Sequence, residues 1–110
     1  MQVFRIDGLP PDPLAAAAHF HAHYAERLAQ ADGDLMLVFP PADHAHRGWR
    51  VAAVQALARG AVPRRVNGVA ADDPTAIAAA QAYLAGALGV TGQYLPLDDG
   101  GTGVVIAWPA

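Results

Sequence analysis

The chain has 110 residues, of which 54% are hydrophobic and only 15% are charged. This length fits one domain with a single modest core. Charged residues usually make up about 25% of a globular protein, so the low share indicates that a partner protein covers part of the surface. The net charge is −3 and the seven basic residues are scattered arginines. This pattern excludes a basic surface for nucleic acid or for anionic membranes.

The residue types that are missing limit the chemistry. The sequence contains no Cys, no Lys and no Ser. Thiolate and serine nucleophiles, Schiff-base lysines and phosphate-binding P-loops are therefore excluded within it. Residues 1–11 lack the apolar core of a secretion signal, and Gly, Gln and Pro interrupt the uncharged stretch 74–97. We expect a cytoplasmic protein with no membrane association.

The first part of the chain predicts a strand, a helix and a second strand. Residues 3–7 alternate apolar and polar, as a strand does, and Asp12 is a suitable N-cap for a helix over residues 14–31. The face of this helix predicted to be buried consists of Leu14, Ala17, Tyr24, Leu28 and Ala31. Residues 35–39 are continuously apolar, which is typical of a central parallel strand covered on both sides.

A second helix, over residues 46–59, is apolar on two opposite faces. One face consists of Val51, Val54, Leu57 and Ala58. The other face consists of Trp49, Ala52, Ala53 and Ala56. A helix that is apolar all round is buried all round. One face therefore meets the sheet, and we expect the other to meet another chain, with Trp49 as an anchor.

The rest of the chain continues the alternation of strands and helices. Residues 65–70 predict a third strand, 75–88 a third helix capped by Asp73, and 93–97 a fourth strand; residues 104–108 predict a short final strand. The alternation predicts an α/β fold, a small layered domain with a mainly parallel sheet of about four strands. Right-handed crossovers in one direction would place all helices on one face of the sheet.

Several short motifs occur in one order along the second half of the chain. They are Leu57-Ala58, Arg65-Val66-Asn67, Tyr83-Leu84, Thr91-Gly92-Gln93 and Asp99-Gly100-Gly101. This order and spacing, over about residues 47–101, resembles the C-terminal half of the Rossmann-type domain of short-chain dehydrogenases. The resemblance implies that the last helix lies on the opposite sheet face from the other two.

The same resemblance implies two subunit interfaces. In that family, two helices form a four-helix contact with a neighbouring subunit, and the last strand with its preceding helix forms a second contact. Carried onto this sequence, the expected interface residues are Trp49, Ala52, Ala53, Ala56, Tyr83, Gln93 and Tyr94.

The catalytic features of the family are not found in this sequence. No GxGxxG turn for a dinucleotide occurs, so no cofactor is expected. The positions that align with the family's catalytic Tyr and Lys hold Asp43 and Arg47, and an arginine stays protonated instead of relaying protons. The resemblance therefore implies a truncated, catalytically degenerate protein. We expect a non-catalytic subunit that assembles with itself or with a full-length short-chain reductase.

A stand-alone module that binds a metal or a small ligand is the alternative. His19 and His23 are four residues apart, a spacing that can chelate Zn²⁺ or Ni²⁺, whereas His21 is predicted to point towards the buried face. The candidate small-ligand cluster, at the carboxyl edge expected for the second strand, consists of Asp43, His44, His46 and Arg47. Surface histidines on a helix that tolerates them are the simpler interpretation of the His19 and His23 pair.

Overall fold

The structure is a computed structural model that describes residues 1–97. Four strands form one parallel sheet in the order β1-β2-β3-β4, so the chain moves across the sheet in one direction. The strands are β1 (Gln2–Arg5), β2 (Leu35–Phe39), β3 (Val66–Ala70) and β4 (Tyr94–Pro96). The predicted α/β fold with a four-stranded parallel sheet is confirmed. The final strand predicted at 104–108 lies outside the described residues.

Two of the helices begin at the predicted caps, Asp12 and Asp73. The helices and helical turns are α1 (Pro13–Phe20), a π-helical turn (His21–Ala25), α2 (Glu26–Gln30), a 3₁₀ turn (His44–His46), α3 (Arg47–Ala61) and α4 (Pro74–Gly86). The carboxylate of Asp12 accepts a hydrogen bond from the backbone N–H of Ala15, and that of Asp73 accepts one from Thr75. Within residues 1–97, no helix is long and apolar enough to cross a membrane.

The sheet is covered on both faces. Leu35, Leu37 and Phe39 of β2 pack with α1, α2 and α3, whereas Met36 and Val38 pack with α4 on the other face. The expectation from crossover geometry, that all helices share one face, is therefore wrong. The third connection has the opposite hand to the first two, because the strand order keeps its direction while the helix changes face. The resemblance implied this position of the last helix.

The first helix buries only part of the predicted face, because Leu28 is buried and Tyr24 is half-buried as predicted, whereas Leu14 is not. Leu14 is 81% exposed, whereas Phe20 is fully buried between the rings of Phe39 and Trp49, with centroids 5.8 and 5.6 Å away. Buried or half-buried residues recur every fourth position from Ala16 to Leu28, a spacing wider than the 3.6 residues of an α-helical turn. The π-helical turn makes this spacing possible.

Candidate functional site

The four residues of the predicted small-ligand cluster do not converge on one point. The carboxylate of Asp43 accepts a hydrogen bond from the backbone N–H of Ala45, 3.1 Å away, and so caps the 3₁₀ turn. His44 and Arg47 are exposed, whereas His46 is buried. In the structure, this cluster mainly shapes the start of α3.

His46 has a partner on each ring nitrogen. Its Nε2 lies 3.0 Å from the carbonyl oxygen of Pro11, which requires an N–H on that nitrogen. Its Nδ1 lies 3.2 Å from the indole Nε1 of Trp49, which can only donate. The two bonds together specify the neutral imidazole with its proton on Nε2. His46 thus ties α3 to the segment before α1, and neither nitrogen is left for a ligand.

Arg50 is the residue of this region that the sequence interpretation missed. It is only 2% exposed although it carries a full charge. Its Nη1 donates to the carbonyl oxygen of Pro40 at 2.8 Å and to the hydroxyl of Tyr94 at 3.1 Å. The guanidinium lies 4.9 Å from the ring centroid of Phe39 and 5.7 Å from that of Trp49. Its Nε is buried without a hydrogen-bond partner.

Helical spacing was the signal that could have located Arg50. It stands four residues before Val54 and eight before Ala58, and both of these are buried against the sheet. A charged residue in register with such a buried stripe is expected to be buried as well. Arg47 lies one turn earlier, with its guanidinium 5.9 Å from the ring centroid of Tyr94. Tyr94 therefore contacts two arginines at once.

The histidine pair on the first helix is formed but has no third partner nearby. The rings of His19 and His23 lie 4.3 Å apart, centroid to centroid. Among residues 1–97, no group of three or more His, Asp or Glu side chains is arranged to hold a metal ion. His21 is exposed and bonds through Nδ1 to the carbonyl oxygen of Ala17, so its predicted position on the buried face is wrong.

Arg65, the first residue of the Arg-Val-Asn motif, closes the end of α4. Its Nη1 donates to the carbonyl oxygens of Leu84 and Ala87 at 2.8 and 2.7 Å, and each of these oxygens also accepts one backbone N–H bond, from Ala87 and from Val90. Its guanidinium also pairs with Asp34 at 2.9 Å. The backbone N–H of Arg65 is the main cause that lowers the pKa of Asp34; its side chain adds to this, and partial burial opposes it.

Asn67, the last residue of that motif, joins β3 to the segment that leads into β4. Its side chain is fully buried. The Nδ2 group donates to the carbonyl oxygen of Val90, and Oδ1 accepts from the backbone N–H of Gln93, both at 3.0 Å. The hydroxyl of Thr91 accepts from the backbone N–H of Val66. Gly92 has a positive φ of 77°, which favours glycine.

Hydrogen bonds of Arg65, Asn67 and Thr91 therefore link β3 to the end of α4 and to the segment before β4. The Asp99-Gly100-Gly101 motif lies outside the described residues. A family model described as SDR-like, short chain dehydrogenase-like protein, matches residues 4–97. The chain belongs to this short-chain dehydrogenase-like family. No curated protein and no solved structure matched the chain.

The interface residues expected from the family fall into three groups. Ala52, Ala56, Tyr83 and Gln93 are exposed, and Trp49 and Tyr94 are half-buried among aromatic rings. Ala53, in contrast, is buried in the core beside Val54, so it does not lie on the outer face of α3. The reason is that the sheet-facing stripe of α3 is broader than predicted and includes position 53.

A shallow groove lies beside the exposed side of α3. Its volume is about 290 Å³, and Gln55, Arg59, Val62 and Gln93 are among the residues that line it. Val62 precedes β3 and Gln93 precedes β4, so the groove opens at the amino ends of the strands. Ligands of parallel α/β sheets bind at the opposite, carboxyl edge.

Proposed function

We propose that this chain is a non-catalytic subunit of the short-chain dehydrogenase-like family, and that it assembles with a second copy of itself or with a full-length short-chain reductase. The proposal has two parts: the chain performs no reduction alone, and two helix faces with little charge contact another polypeptide. A cytoplasmic location belongs to the proposal and is checked by fractionating host cells.

The first part rests on the side chains at the positions that align with the family's catalytic Tyr and Lys. Asp43 caps a helical turn with its carboxylate, and Arg47 lies against the ring of Tyr94. Neither group supplies a phenol or a neutral amine that exchanges protons near neutral pH. The chain also contains no Ser and no GxGxxG turn. Titration of the chain with NADPH and NADH is expected to give no saturable signal, and tight saturable binding would contradict this part.

The second part rests on the observation that carries the proposal: two exposed helix faces are rich in small residues and carry little charge. On α3 the exposed side from Gly48 onward contains Gly48, Ala52, Ala56 and Gly60, together with Gln55 and one charged residue, Arg59. On α4 the exposed residues between Thr75 and Gly86 carry no charge. Small side chains let two helices approach closely, and a face with little charge loses little hydration when it is covered. The two faces lie on opposite sides of the sheet, so two partners can bind at once.

The sheet edges support the same proposal. Within residues 1–97, β1 pairs only with β2, and β4 pairs only with β3. An open edge strand presents unpaired backbone groups and promotes association. Pro96 blunts the β4 edge, whereas β1, with Val3 and Phe4, has no such protection.

Sedimentation of the purified chain tests the assembly. We expect a mass that is a multiple of 11.4 kDa, or a complex when a full-length reductase of the same host is added. Ala56→Glu places a charge on the exposed side of α3 and should shift the equilibrium towards monomer. Ala29→Glu makes the same change on exposed α2, outside the proposed contact, and should not. A chain that stays monomeric with and without the reductase, or equal effects of both variants, would count against the proposal.

A further inference from the structure

Arg50 is a buried charge whose compensation is incomplete. Among residues 1–97, the one ion pair joins Arg65 to Asp34, and no carboxylate of that part of the chain lies within ion-pair distance of Arg50. The faces of Phe39 and Trp49 attract the guanidinium and offset part of its lost hydration. Aromatic rings supply no hydrogen-bond acceptor in the plane of the guanidinium. A charge removed from water in this way is normally paired.

The direction of the missing partner follows from the hydrogen bonds already made. Both bonds that Arg50 forms with described residues use Nη1, to the carbonyl of Pro40 and the hydroxyl of Tyr94. The Nε side of the guanidinium has none, and Nε itself is buried and unpartnered. Two adjacent N–H groups on one side of a guanidinium match the two oxygens of a carboxylate in one plane.

Arg50 lies at a position where folds of this kind bind ligands. Pro40 directly follows β2, and Arg50 lies in the first turn of α3, so both stand near the carboxyl edge of the sheet. Parallel α/β sheets bind ligands at that edge. Residues 41–45 next to Pro40 are all exposed, which makes this wall of the site a short surface loop.

We propose that Arg50, Arg47 and Tyr94 form a receptor for one carboxylate group of a small organic acid. Arg50 holds the carboxylate through the Nε side of its fork. Arg47, exposed against the outer side of Tyr94, adds a second positive charge that attracts the acid to the site. Tyr94 fixes both arginines, one through its hydroxyl and one through its ring. The receptor needs neither a nucleotide nor a catalytic group, so it operates whether or not the chain is a non-catalytic subunit.

The test measures the melting temperature of the full chain in sodium acetate against sodium chloride at equal ionic strength. Acetate should raise the melting temperature of the natural chain and of Arg59→Met, which removes an exposed arginine from the far end of α3. It should not raise that of Arg50→Met. Calorimetric titration with acetate should show binding to Arg50→Lys weaker by about thirtyfold, because an ammonium cannot form the planar pair of bonds.

Further outcomes decide what fills the site. Arg47→Met, an exposed change that leaves the core intact, should weaken acetate binding severalfold without abolishing it. An equal melting temperature of the natural chain in sodium chloride and in sodium acetate would overturn the proposal. A larger rise of the melting temperature in inorganic phosphate than in acetate would overturn it as well. Asp98 and Asp99 lie outside the described residues. If Asp98→Asn with Asp99→Asn destabilises the chain while acetate has no effect on the natural one, the chain's own carboxylates take the place of the ligand, and the proposal is wrong.

Discussion

Two buried arginines in this small domain have contrasting environments. Arg65 meets a carboxylate and the carbonyl oxygens at the end of α4. Arg50 meets one carbonyl, one hydroxyl and two aromatic faces, and its Nε has no partner. Both residues are buried, in a chain with only seven basic residues, so neither belongs to a charged surface patch.

The two arginines, which differ in how completely they are paired, lie at opposite edges of the sheet. Arg65 directly precedes β3, where its side chain and that of Asn67 join the residue before β2, the end of α4 and the segment before β4. Arg50 lies at the carboxyl edge, where polar groups are left partly unpaired. The polar groups at the amino edge join structural elements, and the carboxyl edge is where we propose that an organic acid binds.

The largest expected effect comes from Arg65→Met. This change leaves Asp34 without its charged partner and removes the side-chain donor to the carbonyl oxygens of Leu84 and Ala87. We expect a loss of about 3–5 kcal/mol in the free energy of unfolding, measured by urea denaturation. Arg50→Met is the matched control. It should change stability by about 1 kcal/mol or less, because methionine fits the aromatic surroundings. Equal losses for both variants would remove the distinction between the two arginines.

Asn67→Ala should have the next largest effect. It removes the donor to Val90 and the acceptor for Gln93 in a side chain that is fully buried. We expect a loss of about 2–4 kcal/mol, since two backbone groups are left unsatisfied. Gln55→Ala, an exposed change on α3, should leave the urea midpoint almost unaltered. A tolerated Asn67→Ala would show that the amino edge is held by other contacts.

Gly68→Ala tests how closely α3 packs on β3. A Cβ at this position would meet Cγ2 of Val54 at 3.0 Å and Cε2 of Phe39 at 3.2 Å. Overpacking of this kind should cost about 1–3 kcal/mol. Gly48→Ala adds the same methyl group on α3 where nothing lies within 4 Å, and it should stabilise the helix by up to about 1 kcal/mol. Thermal denaturation should show a lower melting temperature for Gly68→Ala and a higher one for Gly48→Ala than for the natural chain.

The smallest effect concerns pH and Asp34. Because Arg65 lowers the pKa of Asp34 in the folded chain, the carboxylate contributes stability that is present above its ordinary pKa. That contribution is lost as the pH falls through the lower, folded pKa. Asp34→Asn should cost about 1–2 kcal/mol at neutral pH. The difference in the free energy of unfolding between the natural chain and Asp34→Asn should shrink below about pH 4. A constant difference down to pH 2 would contradict this assignment.

Much of the fold could be predicted from the sequence, because local patterns determine it. The apolar run of β2 and the caps at Asp12 and Asp73 predicted elements that the structure contains. The burial of Leu14 could not be predicted correctly, because the π-helical turn changes the helical period and brings Phe20 to the core. The face occupied by α4 followed only from the resemblance, since strand and helix patterns do not contain the hand of a crossover.

The candidate site was harder to predict than the fold. Asp43 and His46 are polar residues in a loop at a strand end, which is typical of ligand sites, yet their groups bond to the backbone and to Trp49. Arg50 was overlooked, although its spacing matches the buried Val54 and Ala58, because arginines are mostly exposed. Its burial depends on the contacts with Phe39 and Tyr94, which are distant in sequence.

The most direct test of the central claim is the native mass of the chain isolated from its host extract, followed by dilution of the purified protein. We predict a complex, either a multiple of 11.4 kDa or one that contains a full-length short-chain reductase, in which the α3 and α4 faces are protected from hydrogen exchange. A stable, folded monomer of 11.4 kDa with both faces exchanging freely would contradict the account.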